Sequence, residues 1–289
     1  MTMKSKEQEL SVSWRYGAGS GALIWQLMFT ETGDLIGQKR FASNRKTLFF
    51  CIDLLTGKVI RDDYLLMDHV HPVPAGSGWF VGLETTLRNL VYCYAYQPQS
   101  PEHKGIWAVD FRADRIVWSR SDVVFAANLD HEFLVYQLSA FGGFPERHFQ
   151  LIDPFTGDVI RSLGLDSPAI NEIRQEVVQE EERQQVTLPD FVTGEMTRER
   201  LALLRVGIAD TTRCECIVKG PFTVAAIHEP VDLTGLWRSF LNVWRLDILV
   251  FADCMEEGVE KPSLNNFLIR SENLYYLKNK EELVCVALS

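Results

Sequence analysis

The chain has 289 residues, 46% hydrophobic and 11% aromatic, enough apolar side chain to bury a large core and too much for a disordered polymer. Its formal charge of -10 repels a phosphate backbone, and no Lys/Arg-rich run overrides that on one face, which excludes nucleic acid and anionic membrane as expected partners. Residues 1–10 are polar and mixed in charge, unlike a secretory signal, and no run approaches the roughly 20 apolar residues that span a bilayer, so the expected location is the cytoplasm.

In chain order, residues 11–16 form a first strand-like run, followed by the glycine-rich turn Gly17-Ala18-Gly19-Ser20-Gly21. That turn is no nucleophile elbow, because its Ser is not centred, and no dinucleotide fingerprint, because no helical pattern follows it. Runs at 23–29, 34–41, 47–53 and 58–66 then predict a four-stranded module. A second is predicted at 79–84, 90–96, 105–111 and 115–120, and a third at 123–130, 133–139, 147–154 and 158–164. Ser167-Pro168 opens a helical pattern with Ile170, Ile173, Val177 and Val178 on one face, which predicts a short surface helix over about 168–182. Strands resume at 222–228, 236–244, 248–252, 267–270, 274–277 and 283–288.

The modules repeat. Ile52-Asp53-Leu54-Leu55-Thr56-Gly57-Lys58-Val59-Ile60 returns as Ile152-Asp153-Pro154-Phe155-Thr156-Gly157-Asp158-Val159-Ile160, and in worn form from Val109 to Val117. Between β-branched runs, Thr-Gly supplies a tight turn, Gly permits positive φ, and the preceding Asp can accept backbone amides inside the turn. Thr32-Gly33 and Thr193-Gly194 are further turns of this kind. Position 90 maps to 133, 109 to 152 and 117 to 160, a period of 43 residues, about the length of a propeller blade. The fold class expected is therefore an all-β propeller of four-stranded antiparallel blades, a single domain over 1–289 with its clearest blades near 22–66, 79–120 and 123–164. Division of the length by the period points to six or seven blades, seven favoured, with residues 11–16 pairing onto the last blade. The longest insertions lie at 67–78, 97–104 and about 167–190.

The apolar run, Asp, two variable residues, Thr-Gly-Lys and a following Trp, carried by Asp53 to Lys58 and by the Asp110-to-Trp118 spacing, resembles the repeat of quinoprotein-like propellers (PQQ-like repeat). Over most of its length the chain also resembles an uncharacterised bacterial family of domains of unknown function with this architecture. The resemblance implies a fold and not a reaction. Arg61 and Arg161 stand where the repeat has Trp, and no adjacent cysteine pair matches the vicinal disulfide of enzymes that hold the quinone, so no cofactor is carried over.

Candidate chemistry is sparse. His69-Val70-His71 after Asp68 could offer two imidazoles to an ion, since side chains two apart on an extended segment point the same way, yet a third ligand is not evident. Cys214-Glu215-Cys216 has the same geometry without a second pair, and the six cysteines read as small buried hydrophobes. Asp62-Asp63 and Glu256-Glu257 sit in polar stretches expected to be solvated. No catalytic or cofactor-binding residue is assigned. The preferred expectation is a non-catalytic scaffold that contacts a protein or peptide through its loops; the alternative is a hydrolase-like site at a central channel mouth.

Overall fold

The computed structural model describes residues 9–68, 71–96, 102–192, 213–231 and 234–289. The fold is all-β and of the propeller class, built from antiparallel sheets in which most strands follow one another in sequence, with two short α-helices among the described residues. Two compact units are present, residues 20–184 and residues 1–19 with 185–289. No helix among the described residues is long and apolar enough to cross a membrane.

Strand β1 (Val12–Gly17) belongs to the unit that contains the C-terminal half. The unit 20–184 opens with a sheet of β2 (Ala22–Phe29), β3 (Asp34–Phe41), β4 (Lys46–Asp53) and β5 (Val59–Tyr64). Its second sheet is β6 (Val81–Leu87), β7 (Leu90–Tyr96), β8 (His103–Asp110) and β9 (Arg115–Arg120). The third is β10 (Val124–Asn128), β11 (Phe133–Phe141), β12 (Phe144–Ile152) and β13 (Val159–Gly164). Central strands such as β4 and β7 are buried on both faces, as stacked sheets require, whereas the last strands β5 and β13 are largely exposed. Ile36, Phe49 and Cys51 of the first sheet pack on Val81, Leu83, Val91 and Cys93 of the second. Tyr92, Ile106 and Trp118 of the second pack on Phe133, Val135 and Ile152 of the third.

The free face of the third sheet is covered by helix α1 (Ser167–Gln175), whose Ile170 joins Ala127, Leu134, Leu151 and Leu163, with Ile173 and Val177 at the margin. Asp166, rather than the expected Ser167, caps it: the Asp166 carboxylate accepts the Ala169 amide, and Pro168 sits in the first turn. The predicted helix over 168–182 is in fact two, α1 and α2 (Glu180–Arg183).

The repeated turns form as their sequence dictates. Asp53 accepts the Thr56 amide at 3.0 Å and hydroxyl at 2.8 Å, Gly57 adopts φ +69°, and the Asp153 turn repeats this with Gly157 at +76°. In the worn copy Asp110 accepts the Ala113 amide at 3.0 Å, and Asp114 takes the left-handed position at φ +55°. Each turn is also a socket. Trp118 of the second sheet donates its indole N–H to Pro154 O at 2.7 Å, beside Tyr92 at 2.9 Å, and lies so close to Gly157 that an added Cβ would sit 2.7 Å from the ring. One module earlier the equivalent residue, Arg61, pairs at 3.1 Å with Asp114, the counterpart of Gly157. An indole needs the glycine; a guanidinium meets an aspartate.

The other unit contains a sheet in the order β15 (Asp190–Phe191), β16 (Arg213–Lys219), β17 (Phe222–Pro230), β18 (Trp237–Arg245) and β19 (Ile248–Val259). Its second sheet joins β14 (Val186–Thr187), β20 (Phe267–Arg270), β21 (Asn273–Lys278) and β22 (Glu282–Ala287) to β1. Val224, Leu241 and Val243 pack against Ile269, Tyr276 and Val284. β1 pairs antiparallel with β22, Tyr16 opposite Leu283, as expected for residues 11–16 and the last strand. The described residues thus hold five sheets rather than the six or seven that the 43-residue period suggested. Length is absorbed instead by the helical segment, by the insertions, and by strands such as β19, with 12 residues. The Thr193-Gly194 turn lies outside the described residues.

Replacing Gly157 by Ala sets a Cβ against Trp118 and strains a left-handed residue, so it is expected to destabilise by about 2 kcal/mol in denaturant titration. In a Trp118→Ala background the same change should cost measurably less; equal costs in the two backgrounds would remove the socket interpretation.

Candidate functional site

After β5 the chain returns to the sheets through residues 65–80. Met67 bridges Pro74, the Asp68 amide donates to Val73 O at 2.8 Å, and the Asp68 carboxylate accepts the His71 amide at 2.9 Å, so this insertion folds as a closed loop of its own. Pro72 and Pro74 limit its backbone, and Gly76 and Ser77 turn it back through left-handed conformations at φ +52° and +55°. Where the loop meets β7 and β8 it encloses an open cavity of about 440 Å3, walled by Asp68, His71, Pro74, Tyr96, Lys104 and Trp107. Lys104 is the second residue of β8, which begins at His103 and so takes in the last two positions of the predicted 97–104 insertion. Trp107 is 4% exposed, and its indole N–H is buried with no acceptor among the described residues.

Beside the cavity, β7 presents a second set of groups. Tyr94 lies flat on His103 at 3.5 Å with 6° between the rings, donates to the Tyr96 hydroxyl at 3.1 Å, and is held well above an ordinary tyrosine pKa by burial and by that bond. His103 Nδ1 meets Glu84 at 2.6 Å. The stack depends on Gly82: a Cβ there would lie 2.4 Å from the Tyr94 ring. Arg40 is held between Trp25 and Trp79, its guanidinium carbon 4.9 Å and 5.4 Å from the two rings, and burial lowers its pKa. These groups make an aromatic platform beside the strand ends.

At the ends of β2, β6 and β10 a third arrangement appears. Gln184, after α2, accepts the Phe29 amide at 3.0 Å and donates to Glu180 at 2.6 Å, while the Thr85 hydroxyl donates to Glu180 at 2.8 Å. Asn128 reaches Thr85 at 2.9 Å, and Thr86 donates to Phe29 O at 2.8 Å. Arg183 pairs with Asp130 and Glu180. Burial raises the Glu180 pKa and lowers that of Arg183. Helix α2 therefore caps the ends of these three strands with a polar network, in which the buried Arg183 Nε has an ion-pair neighbour in Glu180 at 3.5 Å but no hydrogen bond among the described residues. A second cleft of about 420 Å3 lies nearby, with Asn128, His131, Glu132, Arg161, Ile173 and Glu176 on its walls.

Of the sequence candidates, His71 lines the cavity and His69 lies outside the described residues. No group of three or more His, Cys, Asp or Glu among the described residues is placed to hold a metal ion. Cys214 and Cys216 do face the same way, into a buried cluster with Ala225 and Trp244, where burial pushes the Cys214 thiol up to about 12. Asp62 and Asp63 are exposed, as expected, and they also hold Lys39, whose side chain is 2% exposed, at 2.7 Å and 2.9 Å. For Glu256-Glu257 the expectation of solvation fails at the first residue. Glu256 is buried and accepts the Ser263 amide at 2.9 Å and its hydroxyl. Sequence reasoning also missed Glu215, His228 and Ser239. His228 touches Ser239 Oγ at 2.8 Å through Nδ1 and Glu215 at 3.1 Å through Nε2, a Ser-His-Glu chain across β16, β17 and β18. All three residues are at most 1% exposed, and Glu215 also accepts the Asn265 amide at 2.9 Å, so the chain ties strands to a loop and has no route to substrate.

Residues 30–118 match the model of a family described as Domain of unknown function (DUF4905). No curated protein matches the chain. Among solved structures, the acylaminoacyl peptidase of Pyrococcus horikoshii is similar over 90% of this chain at 11% identity and a TM-score of 0.31; the chain spans 36% of its length. The β-propeller domain of Myceliophteria thermophila Cps50 (Swd1) is similar over 97% of this chain and 100% of its own, at 11% identity and a TM-score of 0.35. For the β-propeller domain of the Trilobed protease from Pyrococcus furiosus the values are 93%, 71%, 9% and 0.27.

Two outcomes test these assignments. Gln184→Ala strips the Phe29 amide of its buried acceptor and should cost about 1–3 kcal/mol, with faster tryptic cleavage at Arg183; unchanged stability and cleavage would show that α2 seals nothing. Glu215→Ala leaves a buried histidine and an amide unpaired and should cost about 3–5 kcal/mol in chemical denaturation, while a fluorophosphonate probe should leave Ser239 of the wild-type protein unlabelled; labelling of Ser239 would make the chain catalytic.

Proposed function

We propose that this protein is a non-catalytic binding propeller that grips a protein or peptide partner with the loops 67–78 and 97–104. The observation that carries this reading is a cavity of about 440 Å3 where the 67–78 insertion meets the ends of β7 and β8, above a packed sheet interior. Trp25, 62% exposed and stacked on Arg40, adds a flat apolar surface of the kind that polypeptide partners cover. The hydrolase alternative is weaker on two counts. The Ser-His-Glu chain is buried within a sheet, and α2 fills the strand ends in the unit 20–184 where a polar site could have gathered.

The test is quantitative capture from native lysate after crosslinking, comparing wild-type protein with a His71→Ala, Lys104→Ala double variant and with Glu172→Ala on α1 as a surface control. Partners should be retained by the control and depleted about tenfold or more by the double variant. Identical capture by all three proteins would refute the reading.

A further inference from the structure

The hairpin β11–β12 ends in a stretch that is unusual for a chain of this charge. Leu138-Ser139-Ala140-Phe141-Gly142-Gly143-Phe144-Pro145 carries no ionisable side chain, although the chain as a whole has a formal charge of -10. Register is unbroken from Phe133 opposite Ile152 to Phe141 opposite Phe144, and Gly142 and Gly143 close the turn at φ +59° and +86°, so the tip projects as a regular two-stranded rod. Directly opposed residues share a face and successive ones alternate, which puts Phe141 and Phe144 on one face and Leu138, Ala140 and Pro145 on the other. Both phenylalanines are 76% exposed and Leu138 is 47% exposed. Behind the tip the rod is braced: Arg147 stacks on Tyr136 at 5.1 Å and pairs with Glu102 at 2.6 Å, and Glu146 meets His148 at 3.3 Å.

From this we infer that the tip of β11–β12 inserts into a zwitterionic lipid surface, with Phe141 and Phe144 entering the boundary between headgroups and acyl chains. Apolarity on both faces decides the environment: contact with a flat protein surface would bury one face of the rod and leave the other in water, whereas a lipid interface surrounds it. Area decides against a second copy of the chain. Two rings at this exposure offer roughly 300 Å2 of apolar surface, well short of the about 800 Å2 that each partner contributes to a stable protein interface. Depth agrees. Glu146 and Arg147 stand two and three residue pairs behind the phenylalanines, roughly 7–10 Å at about 3.3 Å per residue, so ionisable groups begin where an interfacial element emerges among the headgroups. Pro145 removes one backbone N–H from the tip, a donor that strand addition would use and that an apolar phase would leave unpaired. Charge sets the lipid, because repulsion disfavours an anionic leaflet and leaves a neutral one. With two aromatic side chains and no covalent lipid, the association is reversible and comparable to that of a single acyl anchor. It goes beyond the loop reading given above and uses another surface of the unit 20–184.

Co-flotation of the full chain with phosphatidylcholine vesicles at millimolar lipid tests the assignment. Bound protein should rise with lipid to an apparent constant on the order of 10³–10⁴ M⁻¹. Added salt should leave that constant unchanged, and replacing part of the lipid by phosphatidylserine should lower it. A Phe141→Ser, Phe144→Ser double variant should bind at least about tenfold more weakly. Ala140→Asp keeps both rings, places a charge in the tip, and should do the same. Leu55→Ser, which removes a 92% exposed leucine from a different turn, is the control and should bind like the wild type. All of these positions are exposed, so thermal midpoint and circular dichroism spectrum should stay unchanged in every variant. Absence of lipid-dependent flotation, tighter binding to phosphatidylserine vesicles, full binding by the double variant, or an equal loss in Leu55→Ser would overturn the lipid assignment. So would a wild-type dimer in sedimentation velocity that the double variant lacks, because it would give the tip to a second copy. Crosslinked lysate proteins captured through the tip by a chain that does not float would give it to a polypeptide and overturn the assignment as well.

Discussion

The interaction on which the unit 20–184 depends is the seating of one side chain from the last strand of a sheet in the aspartate turn of the next. The turn is rigid because Asp53, Asp110 or Asp153 accepts amides within it, and a rigid turn is a surface against which a neighbour can be placed. Trp118 exploits the missing Cβ of Gly157 and the exposed Pro154 carbonyl; Arg61 exploits the carboxylate of Asp114. The two solutions differ in strength. A buried indole with a satisfied N–H contributes through area and a hydrogen bond, whereas the half-exposed Arg61 pair falls in the range of about 0–1 kcal/mol. Arg112 reinforces the weaker junction by bridging Asp34 and Asp53 at 2.8 Å and 3.1 Å, and it reaches them from the very turn that Arg61 approaches.

That stacking leaves the insertions outside the repeated modules. In the first of them Asp68 bonds both Val73 O and the His71 amide, so the described parts of the loop brace one another. The helical segment is used differently. Its α1 is a cover for apolar residues of the third sheet, and its α2 a polar seal, so the longest of the three insertions is spent largely on the fold itself.

Much of the architecture was legible in the chain because its signals are local. An Asp, a Thr-Gly pair and flanking β-branched residues are read within nine positions, and the strands bracketing them, β3 over Asp34–Phe41 and β9 over Arg115–Arg120, fall where the residues place them. What was not legible depends on register. Glu215, His228 and Ser239 meet because three strands align, and nothing in the sequence around any one of them announces the other two. Asp62 and Asp63 are the exposed pair that they look like, but their grip on the buried Lys39 of β3 depends on how β5 is placed. The five sheets among the described residues fall short of the six or seven expected because dividing length by period treats every residue as part of a repeat. The long insertions were legible, but the cavity beside the first of them was not, and Trp107 in its wall reads as core, a strand tryptophan in an apolar run.

The pairing of β1 with β22 carries a kinetic consequence. Arg15 and Glu282, which face each other at its edge, are 267 positions apart, and closing so long a loop costs about 5 kcal/mol of chain entropy before the pairing yields anything in return. During synthesis Val12–Gly17 must wait, its edge unpaired, for Glu282–Ala287 to follow, while the three sheets of residues 20–184 can already assemble from neighbours in sequence. The slow step of maturation is then the capture of a waiting strand, and the species most prone to aggregate is the chain caught just before it.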